Sequence, residues 1–110
     1  MGSLVTKIKN LISSLTSEIN EIPDNAVLLD VRSPEEHVIG TLPGSVLMPL
    51  AELADPQKVT AKLSDTSQPI VVYCASGGRS MKAKQQLKKM GYKKVYNGGG
   101  ISSVRKLLRS

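Results

Sequence analysis

The 110-residue chain has one cysteine, one histidine, and neither phenylalanine nor tryptophan. A lone cysteine excludes an intramolecular disulfide, which fits a reducing compartment. The three tyrosines are scattered, so the chain lacks the aromatic platform on which single-stranded nucleic acids stack. Nucleic acid is therefore not an expected partner, despite a formal net charge of +6 from 15 Lys and Arg against 9 Asp and Glu. That excess favours solubility and draws small anions or acidic partners. Apolar runs never reach the roughly 18 residues of a membrane span. Met1 to Ser17 also lacks the continuous apolar centre and small-residue cleavage site of a signal peptide. The cytoplasm is the expected compartment, with the periplasm as the alternative if Met1-Gly2-Ser3 replaced a native leader. Cys74 and His37 form no ligand cluster, so neither metal nor cofactor is expected. Gly98-Gly99-Gly100 is followed by no Lys-Ser or Lys-Thr, and so reads as a turn before a helix, not a phosphate loop.

What is present fits one compact domain. Leu4, Ile8, Leu11, Ile12, Leu15 and Ile19 recur at helical spacing behind Ser3, which predicts an amphipathic helix over 4 to about 20. Residues 1–22 are expected to pack on a domain spanning 23–110. A membrane-surface role for this helix is disfavoured, because its polar face is mostly Ser, Thr and Asn. Ala26 to Val31 reads as a buried strand, a continuous apolar run that ends in a carboxylate, Asp30. Ser33-Pro34-Glu35-Glu36 starts a short helix that Gly40 stops. Strands are also predicted at Ser45 to Met48, Ile70 to Tyr73 and Lys93 to Tyr96. Helical pieces are predicted at Leu50 to Ala54, Pro56 to Leu63, Ser80 to Met90 and Ile101 to Leu108. Strands alternating with helices predict an α/β fold, with a parallel sheet of four to five strands and helices on both faces.

Ligands of such sheets bind beyond the carboxyl ends of the strands. Cys74 ends the apolar run Ile70-Val71-Val72-Tyr73 and opens the glycine-rich segment Ala75-Ser76-Gly77-Gly78-Arg79-Ser80, which leads into a helix. There the helix dipole and backbone N–H groups favour a negative charge. A thiol at a helix N-terminus beside a cation is expected to ionise below its usual value of about 8.5. Arg79 is such a cation. Asp30 and Arg32, at the end of another strand, are expected on the same rim and to line one pocket with Cys74 and Arg79. His37 is read as a surface or packing residue, because a thiolate needs no base.

Three segments carry a resemblance. Leu29-Asp30-Val31-Arg32 with Pro34-Glu35-Glu36-His37 is similar to the D-V-R-x-P-x-E segment of rhodanese domains. Gly40-Thr41-Leu42-Pro43-Gly44-Ser45 with Pro49 resembles their G-H-I-P-G-A. Val72-Tyr73-Cys74 through Ser80, with Met90-Gly91-Tyr92 and Val95 to Gly99, resembles their catalytic half. The likeness runs from about Asn25 to Leu108 and is strongest to small single-domain sulfurtransferases of the phage-shock type. Thr41 departs from the family's usual histidine, and Val104 stands where an aromatic often follows the late glycines. Both positions read as structural.

The resemblance implies a rhodanese-like three-layer fold and a sulfurtransferase. Cys74 would take sulfane sulfur from a small anionic donor such as thiosulfate and hold it as a persulfide. The loop Ala75, Ser76, Gly77, Gly78, Arg79 and Ser80 would bind that persulfide, and Asp30 and Arg32 would support the pocket wall. Lys82 is a weaker candidate for steering the donor. With no second cysteine in the chain, the acceptor is external: cyanide or a cellular thiol, including a thioredoxin-like or sulfur-carrier protein. A monomer is expected. Two alternatives stand beside this reading. One is a non-catalytic rhodanese-like binding module. The other is a phosphatase or arsenate reductase, whose C-x5-R loop is one residue longer than Cys74 to Arg79.

Overall fold

The computed structural model describes residues 17–109. Four strands, β1 (Val27–Asp30), β2 (Val46–Leu47), β3 (Ile70–Cys74) and β4 (Val95–Gly100), form one parallel sheet in the order β2-β1-β3-β4. Around it lie α1 (Pro34–Ile39), a 3-10 turn (Leu50–Ala54), α2 (Pro56–Lys62), α3 (Gly78–Lys89) and α4 (Ile101–Leu108). The predicted α/β fold and strand sequence hold, with four strands.

This order places β1 and β3 in the interior, which explains why both read as unbroken apolar runs. Their side chains alternate between two cores. Leu29, Val31, Ile70, Val72 and Cys74 join Leu53 of the 3-10 turn, Val59 of α2, and Ala83 and Leu87 of α3. On the other face Leu28, Val71 and Tyr73 meet Leu42, Val104 and Ile101 of α4, and Ile19 and Ile22. Each fully buried Leu, Ile or Val contributes about 1.5–3 kcal/mol relative to exposure. The sheet is thus covered on both faces, and the carboxyl ends of β1 and β3 lie side by side, with Asp30 in register with Tyr73.

Two expectations need correction. Asn97 to Gly100 is not a turn but the last four residues of β4, and α4 follows with no connecting residue. The register against β3 slips between Val72↔Asn97 and Cys74↔Gly100, a bulge that absorbs the extra residue. Packing demands glycine here: a Cβ on Gly98 would lie 2.6 Å from a Val104 methyl and 2.8 Å from a Val71 methyl. The predicted N-terminal helix falls outside the described residues up to residue 16, and residues 17–22, where its last turn was expected, are not helical. Instead Glu18 donates its backbone N–H to the Asn97 carbonyl at 2.8 Å, and Ile19 and Ile22 pack on the second core. Among the described residues no helix is long and apolar enough to cross a membrane.

Candidate active site

Cys74 is the last residue of β3, and α3 begins four residues later. Gly77 makes so short a connection feasible: it adopts φ 105°, in the left-handed region that favours glycine. No side chain caps α3. Just before the helix, the sulfur accepts the Gly77 N–H at 2.9 Å. On its other side Sγ lies 3.5 Å from the Ser80 hydroxyl.

The sulfur is fully buried, at 0% exposure, between the first core and the loop, whereas Ala75, Ser76 and Gly78 are exposed. Burial pushes the Cys74 thiol up. Hydrogen bonding with the Ser80 side chain and with the backbone of Ser80, Gly77 and Ser76 outweighs it, and the net shift is downward. Within the segment from Ala75 to Arg79, the Gly77 N–H is the amide that reaches the sulfur at hydrogen-bond distance.

The hydrogen bonds of the Arg79 side chain go to α1 and not to the sulfur. Its guanidinium makes a two-pronged pair with Glu36 of α1, at 2.7 and 3.0 Å. Glu36 also closes the capping box of α1 with Ser33. The Arg79 hydrogen bonds, with help from Ser33, draw the Glu36 carboxyl down to about 2. Arg79 therefore braces α3 against α1 with its charge already matched.

Asp30 and Arg32 form a second, separate cluster. The Asp30 carboxylate accepts the Arg32 backbone N–H at 3.0 Å, its Nε at 2.9 Å and its Nη2 at 2.8 Å. It also meets His37 Nδ1 at 2.9 Å and the Thr41 hydroxyl at 3.2 Å. Thr41 in turn contacts Tyr73 Oη at 2.8 Å, and the Arg32 guanidinium lies 5.9 Å from the centre of the Tyr73 ring. Burial would raise the Asp30 carboxyl, but bonding to Arg32 and His37 wins and holds it at about 2. Asp30 shares Tyr73's face of the sheet, whereas Cys74 faces the opposite core. The single pocket expected from all four residues is therefore two networks joined by α1, whose Glu36 reaches Arg79 and whose His37 reaches Asp30. Lys82 is exposed one turn into α3.

Sequence reasoning missed Asn97. Fully buried on β4, it accepts the Ser80 hydroxyl at 2.6 Å and the Gly99 N–H at 2.9 Å through Oδ1, and sends Nδ2 to the Gly77 carbonyl at 3.5 Å. The Glu18 carboxylate takes the Asn97 backbone N–H at 3.2 Å and pairs with Lys84 of α3. Nothing in the pattern Asn-Gly-Gly-Gly distinguishes this from a turn asparagine. Among the described residues no group of three His, Cys, Asp or Glu is placed to hold a metal.

Comparison with known proteins adds independent information. The rhodanese-like domain model matches residues 13–106. The Arabidopsis thaliana chloroplast rhodanese-like/PpiC domain-containing protein 12 is 40% identical over 82 residues, 73% of this chain but 27% of its own length. The chain thus spans about a quarter of that relative. The thiosulfate sulfurtransferase PspE of Escherichia coli is 33% identical over 76 residues, covering 69% of this chain and 71% of PspE. A solved E. coli rhodanese with anions superposes with a TM-score of 0.66 at 32% identity, covering 71% of this chain and 89% of that one.

Proposed function

The chain belongs to the rhodanese-like domain family, and on that premise we propose that it is a sulfurtransferase that carries sulfane sulfur as a persulfide on Cys74. The supporting observation is the Gly77 N–H aimed at Cys74 Sγ from 2.9 Å, inside a loop whose other donors also lower the thiol. Such donors stabilise a sulfur anion as an oxyanion hole stabilises oxygen.

With thiosulfate as donor, the Cys74 thiolate attacks the outer sulfur. The donor's S–S bond breaks, sulfite departs with the bonding pair, and Cys74–S–S⁻ remains. An external thiolate or cyanide then attacks the terminal sulfur and releases the Cys74 thiolate, so no net electrons enter or leave. The name of PspE supports thiosulfate as donor. Because Cys74 has no exposed surface, turnover includes displacement of the exposed Ala75–Ser76 segment, while Arg79 and Glu36 hold the start of α3 in place. Phosphoryl chemistry fits less well: Arg79 is committed to Glu36, and the donors around the sulfur include no acid that could protonate a leaving group.

The test is thiocyanate formation from thiosulfate and cyanide. Wild type is expected to be active and Cys74→Ser inactive. Equal rates would remove Cys74 from the reaction, and inactivity of the wild type with every sulfane donor would favour a binding module.

A further inference from the structure

The Ser80 hydroxyl has one proton and three acceptors around it: Asn97 Oδ1 at 2.6 Å, the Gly77 carbonyl at 3.0 Å and Cys74 Sγ at 3.5 Å. The orientation of the Asn97 amide is fixed independently, because the Gly99 N–H donates to the same Oδ1 at 2.9 Å and can donate only to an oxygen. The shortest contact therefore runs from the Ser80 hydroxyl to Asn97. It leaves Ser80 facing the sulfur with a lone pair, which accepts S–H but cannot donate to S⁻.

We propose that Asn97 is a positioning residue that acts through Ser80: by holding the hydroxyl proton it keeps the buried Cys74 in its thiol form, and ionisation requires that proton to turn from Asn97 to the sulfur. The thiol proton leaves to solvent, the Ser80 O–H rotates to donate to the sulfur anion, and Asn97 Oδ1 keeps the Gly99 N–H as its donor. The second Asn97 contact, Nδ2 to the Gly77 carbonyl, occupies the competing acceptor and strengthens the bias. The arrangement is built into the fold, since Asn97 is fully buried and its backbone is held on both sides by Glu18. A closed site thus keeps a quiet thiol, while a hydroxyl donor stands one bond rotation away.

The charged groups around this relay form separate pairs. Arg79 at the start of α3 is matched by Glu36 of α1, Asp30 at the end of β1 by Arg32 and His37, and Lys84 of α3 by Glu18. None of them is altered by changing Asn97, so a shift in Cys74 titration caused by that change runs through the neutral relay.

The inference rests on Cys74 being the reacting atom, but its test needs no donor. Thiolate absorbance and iodoacetamide alkylation are followed against pH in wild type, Asn97→Leu, Ser80→Ala and the double variant. Once Asn97 is gone, the anionic sulfur outcompetes the neutral Gly77 carbonyl for the Ser80 proton. Asn97→Leu is therefore expected to raise the thiolate fraction below the midpoint about three- to tenfold, the difference between a neutral and a charge-assisted hydrogen bond. In the Ser80→Ala background the same change is expected to move it by less than about twofold, because the relay atom is missing. An unchanged or lowered thiolate fraction in Asn97→Leu, or an equal shift with and without the Ser80 hydroxyl, overturns the proposal.

Wild type supplies a second readout that is independent of how Asn97→Leu folds. The Gly99 amide resonance is expected to titrate with the Cys74 midpoint, because Oδ1 loses its other donor, and to stay flat in Ser80→Ala. A Gly99 resonance that is flat in wild type also overturns the proposal. Normal titration coupling without sulfur transfer would instead remove the proposed activity and leave the relay standing.

Discussion

Arg79 and Glu36 tie the start of α3 to α1 through two hydrogen bonds of 2.7 and 3.0 Å, while neither touches Cys74. Glu36 has a second task, closing the capping box with Ser33. Glutamine retains capping and loses the charge, so Glu36→Gln is expected to cost less than about 1 kcal/mol, as for other partly exposed pairs. Glu36→Ala loses the cap as well and is expected to cost about 1 kcal/mol more. Both are expected to slow sulfur transfer severalfold by loosening the brace beneath the loop. Denaturation curves and transfer rates on the two variants check this, and an undiminished rate in Glu36→Ala would show that the brace is dispensable.

Acid is expected to act through Asp30 and Glu36. The fold draws the first from 3.8 and the second from 4.5 down to about 2. Their stabilisation is complete above the unfolded values and is lost as pH falls toward about 2, because the unfolded chain binds more protons in that window. The melting temperature is expected to fall on acidification from about pH 4.5 to about pH 2. If it rises over this window instead, the assigned partners of these carboxylates are wrong.

Asp30 is expected to matter for folding and little for sulfur chemistry. Asp30→Ala strands the buried Arg32 guanidinium, and breaking a buried pair in this way costs about 3–5 kcal/mol. Urea unfolding measures the loss. In the protein that stays folded, the Cys74 titration is expected to match wild type, since the two side chains lie on opposite faces of the sheet. A large shift there would mean that the two networks are one.

Gly100 passes under the loop so closely that a Cβ would lie 2.6 Å from the Ala75 carbonyl oxygen. Gly100→Ala is expected to cost about 1–3 kcal/mol as overpacking. By displacing the segment next to Cys74 it is also expected to slow transfer by about a hundredfold. Gly40→Ala is the control: its backbone is extended, at φ −178°, and nothing lies within 4 Å of the added methyl. Equal transfer rates in the two variants would contradict the close approach.

The layout of strands and helices was legible because β1 and β3 read as continuous apolar runs, and because Ser33, Pro34 and Glu36 spell out a helix start. The position of Cys74 between β3 and α3 was legible for the same reason. Asn97 to Gly100 was not, because glycines that signal a turn locally are here required by long-range approach to Val71, Val104 and Ala75. The partition of Asp30 and Cys74 was hidden as well. Strand ends can be ordered from sequence, but the face each side chain takes depends on register, and a single-residue step reverses it. Arg79 was legible as the cation beside the loop, but its partner Glu36 lies on a helix whose docking no local pattern reveals.

The most direct measurement is the intact mass of the protein after incubation with thiosulfate and removal of excess donor. One added sulfur atom is expected on the wild type, located to the Cys74 peptide, lost on treatment with a reducing thiol, and absent from Cys74→Ser. An unmodified wild type that nonetheless turns over thiosulfate and cyanide, or an equal adduct on Cys74→Ser, would contradict a persulfide carried on this residue.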